Sequence, residues 1–278
     1  MTMLKFKFGD IALANLLVSI MSGLFVAYQY DYTAAYSSVI TMDNSLPYGT
    51  FLRSLHYYSS QAFFLFLLIH IGEYICRGVH LNMPVCSWIK LVLTIPAAIL
   101  LLFTGYILKG DIVGVSAGRI AEQLVLIIPF IGDALNRFLF SLKHDGLYRV
   151  YFNHALVLGL LCGWALWSHL KKRTIKGHYV LLCLFIVFGI CFFCKAPLDA
   201  PPNDAEAMLV KGPWFFLGVQ ELLRYFSPLW AGIVYPSSII VLLLLLPAAS
   251  KKYNGFFLSA IMLFLISHTF LTVIAFLR

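Results

Sequence analysis

Charge is what this chain has least of. Only 12% of its 278 residues are charged, and Asp and Glu together number 12. Soluble domains approach a quarter charged, so an ordinary water-soluble fold is excluded and a membrane protein is indicated. No polar stretch is long enough for a separate soluble domain. The six cysteines, at positions 76, 86, 162, 183, 191 and 194, lie in or beside hydrophobic segments. They form no Cys-x-x-Cys-His run, and a disulfide framework is not expected. Cys191 and Cys194 have Cys-x-x-Cys spacing inside an apolar run, where packing is the expected role. Internal repeats and low-complexity segments are also lacking. The net charge of +8 would raise the question of nucleic acid in a soluble chain. Here no nucleic-acid partner is expected, because the basic excess belongs to cytoplasmic loops.

What is present is apolar: 61% of the residues are hydrophobic. Hydropathy predicts helices near 10–30, 52–75, 88–108, 150–170, 179–195, 229–247 and 255–277. Each can cross about 30 Å of hydrocarbon. The fold class is therefore all-α, a polytopic transmembrane helical bundle of about seven spans. Lys5 and Lys7 precede the first run, which continues to about Tyr30 without a small-residue cleavage site, so it reads as a retained helix. The 109–149 connection carries the amphipathic stretch 120–131 with Pro129 and Gly132, which predicts short surface helices. After the fifth run, Pro197, Pro201, Pro202 and Pro213 break helices. Trp214 to Phe226 follows, too polar at Gln220, Glu221 and Arg224 to span, and is expected at the interface. With the N-terminus cytoplasmic, the short loops on that side hold Lys5, Lys7, Arg77, Lys90, Lys171, Lys172, Arg173, Lys176, Lys251 and Lys252 against Asp10 and Glu73. Raw basic counts tie between the two sides, but short loops and helix ends carry the rule, and they favour this orientation.

Four of the eight histidines form two intramembrane pairs. His56 and His70 are separated by 14 residues on the second predicted helix, and His154 and His169 by 15 on the fourth. Either spacing is close to four turns, which places each pair on one face with its members about 21–22 Å apart. Two such helices can clamp two cofactors stacked across the bilayer, one histidine from each helix giving an iron two axial imidazoles. That ligation leaves no open position, so the metal would transfer electrons. A lone intramembrane histidine is more often a hydrogen-bonded packing residue. The matched pairs are what favour ligation, and His268, which lacks such a match, is expected to pack or line a water path.

Neighbouring residues point to haem. Arg53, one turn before His56, and Arg149, just over one turn before His154, could pair with propionates, although snorkelling to the interface explains each alone. Gly9 and Gly23 are also 14 apart on the first helix, and Gly105 lies on the third. Missing side chains there let a flat macrocycle approach the backbone.

With these features in view, the chain resembles cytochrome b of the quinol:cytochrome c oxidoreductase complexes, from Phe8-Gly9 to the seventh helix. The motifs are Ser22-Gly23-Leu24-Phe25, Ala34-Ala35-Tyr36-Ser37-Ser38-Val39, Tyr48-Gly49 before Arg53-Ser54-Leu55-His56, Gly105-Tyr106-Ile107-Leu108 and Ile128-Pro129-Phe130-Ile131-Gly132. The 14/15 spacing is that of the chloroplast-type protein. The resemblance implies two noncovalent, bis-histidine b-type haems, a low-potential one at His56 and His154 near the outer face and a high-potential one at His70 and His169 near the cytoplasmic face. It implies quinol oxidised outside, quinone reduced inside, a Rieske-type iron–sulfur protein and a cytochrome c as partners, and a homodimer in a bacterial inner membrane. Residues 1–178 would form the four-helix di-haem core, and 179–278 would contribute to the outer quinol site. Seven helices rather than eight implies a shortened form.

Several positions depart from that pattern. The outer site usually carries Pro-Glu-Trp-Tyr; here Gly212-Pro213-Trp214-Phe215 puts Pro213 in place of the Glu. Bound quinol must still lose two protons. Glu221, two turns beyond Trp214, is the candidate acceptor, with a plain interfacial charge near Arg224 as the alternative. Pro-Trp variants followed by Gln-Glu-Leu-Leu resemble menaquinol oxidisers, which favours menaquinol. Lys109-Gly110-Asp111 stands where Pro-Trp-Gly-Gln is common, Leu91 replaces a glycine, and Glu73 stands where an Arg often follows the second ligand. Arg77 or Lys171 could substitute for that Arg. At the inner quinone site Lys171, Lys172, Arg173 and His178 are candidates by position, although the cytoplasmic charge bias accounts for the basic ones equally. Two rival readings are a haem-bearing anchor passing electrons between quinone and an attached dehydrogenase or multihaem cytochrome without a bifurcating outer site, and a transporter without cofactor, against which the histidine pairs argue.

Overall fold

The computed structural model describes residues 7–171, 177–202, 210–248 and 251–278, the side chains of 248 and 251–253 excepted. In hydrocarbon, backbone polar groups must be satisfied within the segment, and the described regular structure is all helical. In order the helices are α1 (Phe8–Gln29), α2 (Ala35–Ser45), α3 (Gly49–Cys76), α4 (Val85–Ile107), α5 (Ile112–Leu126), α6 (Gly132–Leu139), α7 (Leu142–Asp145) and α8 (Tyr148–Phe152). Then come α9 (Leu158–Leu170), α10 (Gly177–Phe193), α11 (Leu217–Leu222), α12 (Tyr235–Leu245) and α13 (Lys251–Leu277). A π-helical turn, Asn153–Val157, joins α8 to α9, and another, Leu229–Val234, leads into α12.

All seven predicted runs are helices. Five are long and apolar enough to cross a membrane: α1, α3, α4, the continuous helix Tyr148–Leu170, and Asn254–Leu277 within α13. Gly177–Phe193 and Leu229–Leu245 are shorter; 17 residues rise about 25 Å, near the lower limit for a span. α2 was not anticipated, because Ala35–Ser45 mixes Ser, Thr, Asp and Asn with few apolar residues. The long connection does become short helices, α5 to α7, broken at Pro129 and at Phe130, whose φ is 66°.

The chain divides into two compact units. The first, Met1–Asn82 with Leu166–Leu198, is built on α1, α3 and α10. Ile11, Ala14, Tyr179 and Cys183 form one buried cluster, and Val18, Leu55, Val187 and Cys191 another. Asn15 is buried on α1 and donates to the Ile11 carbonyl at 3.0 Å and to Cys183 Sγ at 3.3 Å. Past α10 the chain leaves helical geometry, and α3 satisfies its backbone: Tyr58 donates to the Lys195 carbonyl, Arg53 to the Ala196 carbonyl, and Ser54 Oγ accepts from the Ala196 N–H. Cys191 packs in this core, the role expected of it, and all six cysteines are free thiols.

The second unit, Met83–Ala165 with Asp199–Arg278, packs α4 on α5 and α12, and α11 on α13. Trp88, 2% exposed, donates to the Leu243 carbonyl at 2.7 Å. Asn153 donates to the Phe138 carbonyl at 2.6 Å and to that of Leu139 at 3.2 Å, satisfying the end of α6. Asp111 caps α5 through the Gly114 N–H and also accepts from the Asp199 N–H at 3.0 Å.

Tyr48 adopts a left-handed φ of 60° and turns the chain from α2 into α3. A Cβ at Gly49 would then collide with the Met42 carbonyl oxygen. Gly49→Ala should destabilise the purified protein by about 1–3 kcal/mol or more, because the obstacle is backbone. Gly189→Ala on α10, where a Cβ meets nothing within 4 Å, should leave the thermal midpoint unchanged or raise it. Thermal unfolding in detergent checks the pair.

Candidate functional site

All four paired histidines lie on membrane-length helices and are half-buried. His56, His70 and His169 belong to the first unit and His154 to the second. The glycines singled out in the sequence each seat one of these rings. A Cβ at Gly9 would stand 2.8 Å from His70 Cε1 and Nε2, and one at Gly23 2.9 Å from His56 Cε1. In the second unit a Cβ at Gly105 would stand 2.9 Å from His154 Cε1. Such separations are too short for real carbon contacts, so a Cβ at any of these positions would push the ring aside.

The partners of two rings fix which nitrogen carries the proton. His56 Nδ1 lies 2.9 Å from the Ser19 carbonyl, which can only accept, so Nδ1 is the protonated nitrogen. His154 Nδ1 lies 3.0 Å from Thr104 Oγ1, whose own proton goes to the Leu100 carbonyl at 2.6 Å. The hydroxyl oxygen must then accept from Nδ1–H. In both rings Nε2 is left with its lone pair, the state a metal requires. The sequence reading missed Thr104 and Ser19, since a lone hydroxyl or a backbone carbonyl in an apolar run gives no pattern.

His154 sits inside the π-helical turn Asn153–Val157. Such a turn holds one residue more than an α-turn without advancing the chain around its axis. It takes up the single residue by which the His154–His169 interval exceeds the His56–His70 interval.

His70 and His169 face each other with ring centroids 6.2 Å apart. Imidazole nitrogens bind a metal at about 2.0–2.1 Å, and two rings opposed across one ion keep about this centroid separation. The rings line a cleft of about 350 Å³ with Gly9, Tyr74, Glu73 and Arg77. The Tyr74 ring lies 4.5 Å from His70 and 6.0 Å from His169. Two imidazoles at this spacing with a glycine beside them fit a haem iron held between two histidines.

The remaining candidates are placed as follows. Arg53, 8% exposed, makes a bidentate pair with Asp43 on α2 and donates to the Ala196 carbonyl at 2.8 Å. Arg149 pairs with Asp145 at 2.9 Å. The Ser141 hydrogen bond, then Arg149, hold the Asp145 carboxyl below the usual carboxylate range. Pro213 opens a tight turn, Trp214–Phe216, that leads into α11. Trp214 is 45% exposed, whereas Glu221 is 1% exposed. The tighter turn, at three residues per turn, breaks the even two-turn spacing that would put them on one face. Glu221 accepts from Arg278 at 2.7 Å and from Tyr225 at 3.1 Å, and Arg224 lies 3.1 Å from its other oxygen. Lys171 and His178 are exposed; Lys172 and Arg173 lie outside the described residues. His268 packs over Gly218 and stacks on Phe264 at 5.7 Å.

A family model described as cytochrome b/b6/petB matches residues 2–176. The chain belongs to the cytochrome b family. Cytochrome b of Python regius is 27% identical over 156 residues, 54% of this chain and 42% of that protein. Cytochrome b of Chondrus crispus is 26% identical over 253 residues, 78% of this chain and 66% of that protein. The chain thus spans 42–66% of the length of these two curated relatives. A solved structure described as hyperthermophilic respiratory Complex III aligns over 96% of this chain and 82% of its own, with a TM-score of 0.70 at 21% identity, and shares the fold. Membership in the cytochrome b family implies b-type haem and a membrane protein.

Because Thr104 holds His154 Nδ1, Thr104→Val should weaken haem retention about 10–100-fold on the reading of His154 as a ligand, whereas Thr104→Ser should retain it. Haem-to-chain ratios after detergent dilution measure both.

Proposed function

We propose that this cytochrome b is the di-haem electron-transfer subunit of a respiratory quinol-oxidising complex, with residues 1–178 holding both haems and 179–278 contributing to the outer quinol site. The observation that carries the reading is the opposed pair His70 and His169 beside Gly9. When bound, haem supplies a one-electron relay with no open coordination position. His70 and His169 hold the inner group, and His56 and His154 the outer one. Ser19 and Thr104 keep Nδ1 protonated, so that Nε2 faces the metal. Arg149, still 40% exposed in its side chain, has donors to offer a propionate. Arg53 already spends its guanidinium on Asp43 and the Ala196 carbonyl, so its main contribution is to hold the outer end of α3.

In this reading quinol, menaquinol by preference, is oxidised beside Pro213 and Trp214, and Glu221 takes a proton there. Lys171 and His178 serve a quinone reduced on the cytoplasmic side. The partners are a Rieske-type iron–sulfur protein and a cytochrome c subunit, the assembly is a homodimer, and the membrane is a bacterial inner membrane with the N-terminus cytoplasmic. Proton release outside and uptake inside then conserve energy.

One observation favours the second reading, a haem-bearing anchor between the quinone pool and a dehydrogenase or multihaem cytochrome. Glu221 is clamped by two arginines and a tyrosine, a site built to keep a carboxylate paired rather than to exchange protons. Sensitivity to an inhibitor of the outer site separates the two, and in Glu221→Gln a slowed quinol oxidation at unchanged haem content supports Glu221 as the proton acceptor, whereas an unchanged rate rules it out. For the haems themselves, His70→Ala and His169→Ala should each reduce a stoichiometry of two per chain to one. Retention of two low-spin haems in either variant would refute the ligand assignment.

A further inference from the structure

The inner cleft holds a carboxylate where the family resemblance leads one to expect an arginine. Glu73 follows His70 by three residues on α3, one turn along the same face. Its Oε2 lies 3.6 Å from His70 Nδ1, while its Oε1 takes a salt bridge from Arg77 at 2.7 Å. The two oxygens thus look in different directions. Arg77 is 72% exposed in its side chain and solvent screens that side, whereas the His70 side chain is only 18% exposed. The carboxylate's influence is therefore strongest toward the imidazole. Lys7, just before α1, and Asp10 in its first turn line the same cleft with opposite charges.

We propose that Glu73 is a positioning residue for the inner haem: its carboxylate, 3.6 Å from His70 Nδ1 and so longer than a hydrogen bond, places an anion behind the ring that favours a proton on Nδ1, leaves Nε2 for the metal, and makes that ligand more basic. The proposal rests on His70 being a ligand. His56 and His154 present Nδ1 to a neutral carbonyl and a neutral hydroxyl, so the inner site differs from the outer one in carrying an anion behind its ligand. A more basic imidazole favours the ferric state, as carboxylate–histidine pairs behind other metals raise ligand basicity. Glu73 thus lowers the midpoint potential of the haem that His70 holds.

The test uses the purified complex, with redox titration of both haems and electron paramagnetic resonance of the oxidised protein. Glu73→Gln should raise one midpoint potential by about 59 mV, a tenfold change for one electron, and leave the other in place at full haem content. The low-spin signal of the same haem should change, reporting a weaker ligand field. Glu73→Asp draws the oxygen back by one methylene while keeping the charge, and should behave like Glu73→Gln. Unshifted potentials and spectra in Glu73→Gln would overturn the proposal, as would a Glu73→Asp protein identical to wild type, which would reduce the effect to diffuse charge. Failure of the ligand reading is separately visible: His70→Ala would then keep both haems.

Discussion

An imidazole buried in a bilayer has two nitrogens to satisfy and no water to do it. That constraint organises this protein. A hydrogen bond to Nδ1 settles the tautomer and directs Nε2, so the position of a donor or acceptor on the neighbouring helix decides whether a histidine can serve a metal. Ser19 lies on α1 and Thr104 on α4, and each is beside the glycine that seats the ring it binds or within one turn of it. The close approach of backbone to ring, possible only at glycine, and the Nδ1 hydrogen bond are two parts of one arrangement. The helices exist to hold these contacts at fixed depth, and hydrocarbon enforces the helices in turn.

The same rule governs the chain after α10. Its backbone would be costly if unpaired at the membrane boundary. Tyr58, Ser54 and Arg53 on α3 supply the missing partners. The connection after α4 in the second unit is treated similarly: Lys109 pairs with buried Asp111 at 2.7 Å and with Asp199 at 3.3 Å, and the Ile112 N–H donates to the Ala200 carbonyl. The unusual Lys109-Gly110-Asp111 is thus a clamp between two connections that are distant in sequence.

How much was legible from sequence follows from how far each contact reaches. Hydropathy located the seven apolar runs, and matched spacing singled out four histidines and two glycines, because these are periodic patterns along a helix; Gly105 was noted only by its place on the third. Arg53 could be read only from its distance to His56; its partner Asp43 sits on a helix too polar to be noticed, and its carbonyl acceptors come from more than 140 residues away. Thr104 was silent because one hydroxyl among aliphatic residues looks like any other. The shared face expected for Trp214 and Glu221 assumed uniform α geometry, which the turn at Pro213 removes.

The π-helical turn at Asn153–Val157 has a consequence for reading relatives of this chain. If one residue can be stored in a bulge, a helix can gain it without rotating everything that follows. Comparison with relatives whose fourth span is one residue shorter must then place the gap inside that bulge. A gap placed anywhere nearer His169 would rotate the intervening stretch by about 100° per residue. Exposed positions such as Leu160 and Trp164 would then be matched with buried ones, and true equivalences would read as substitutions.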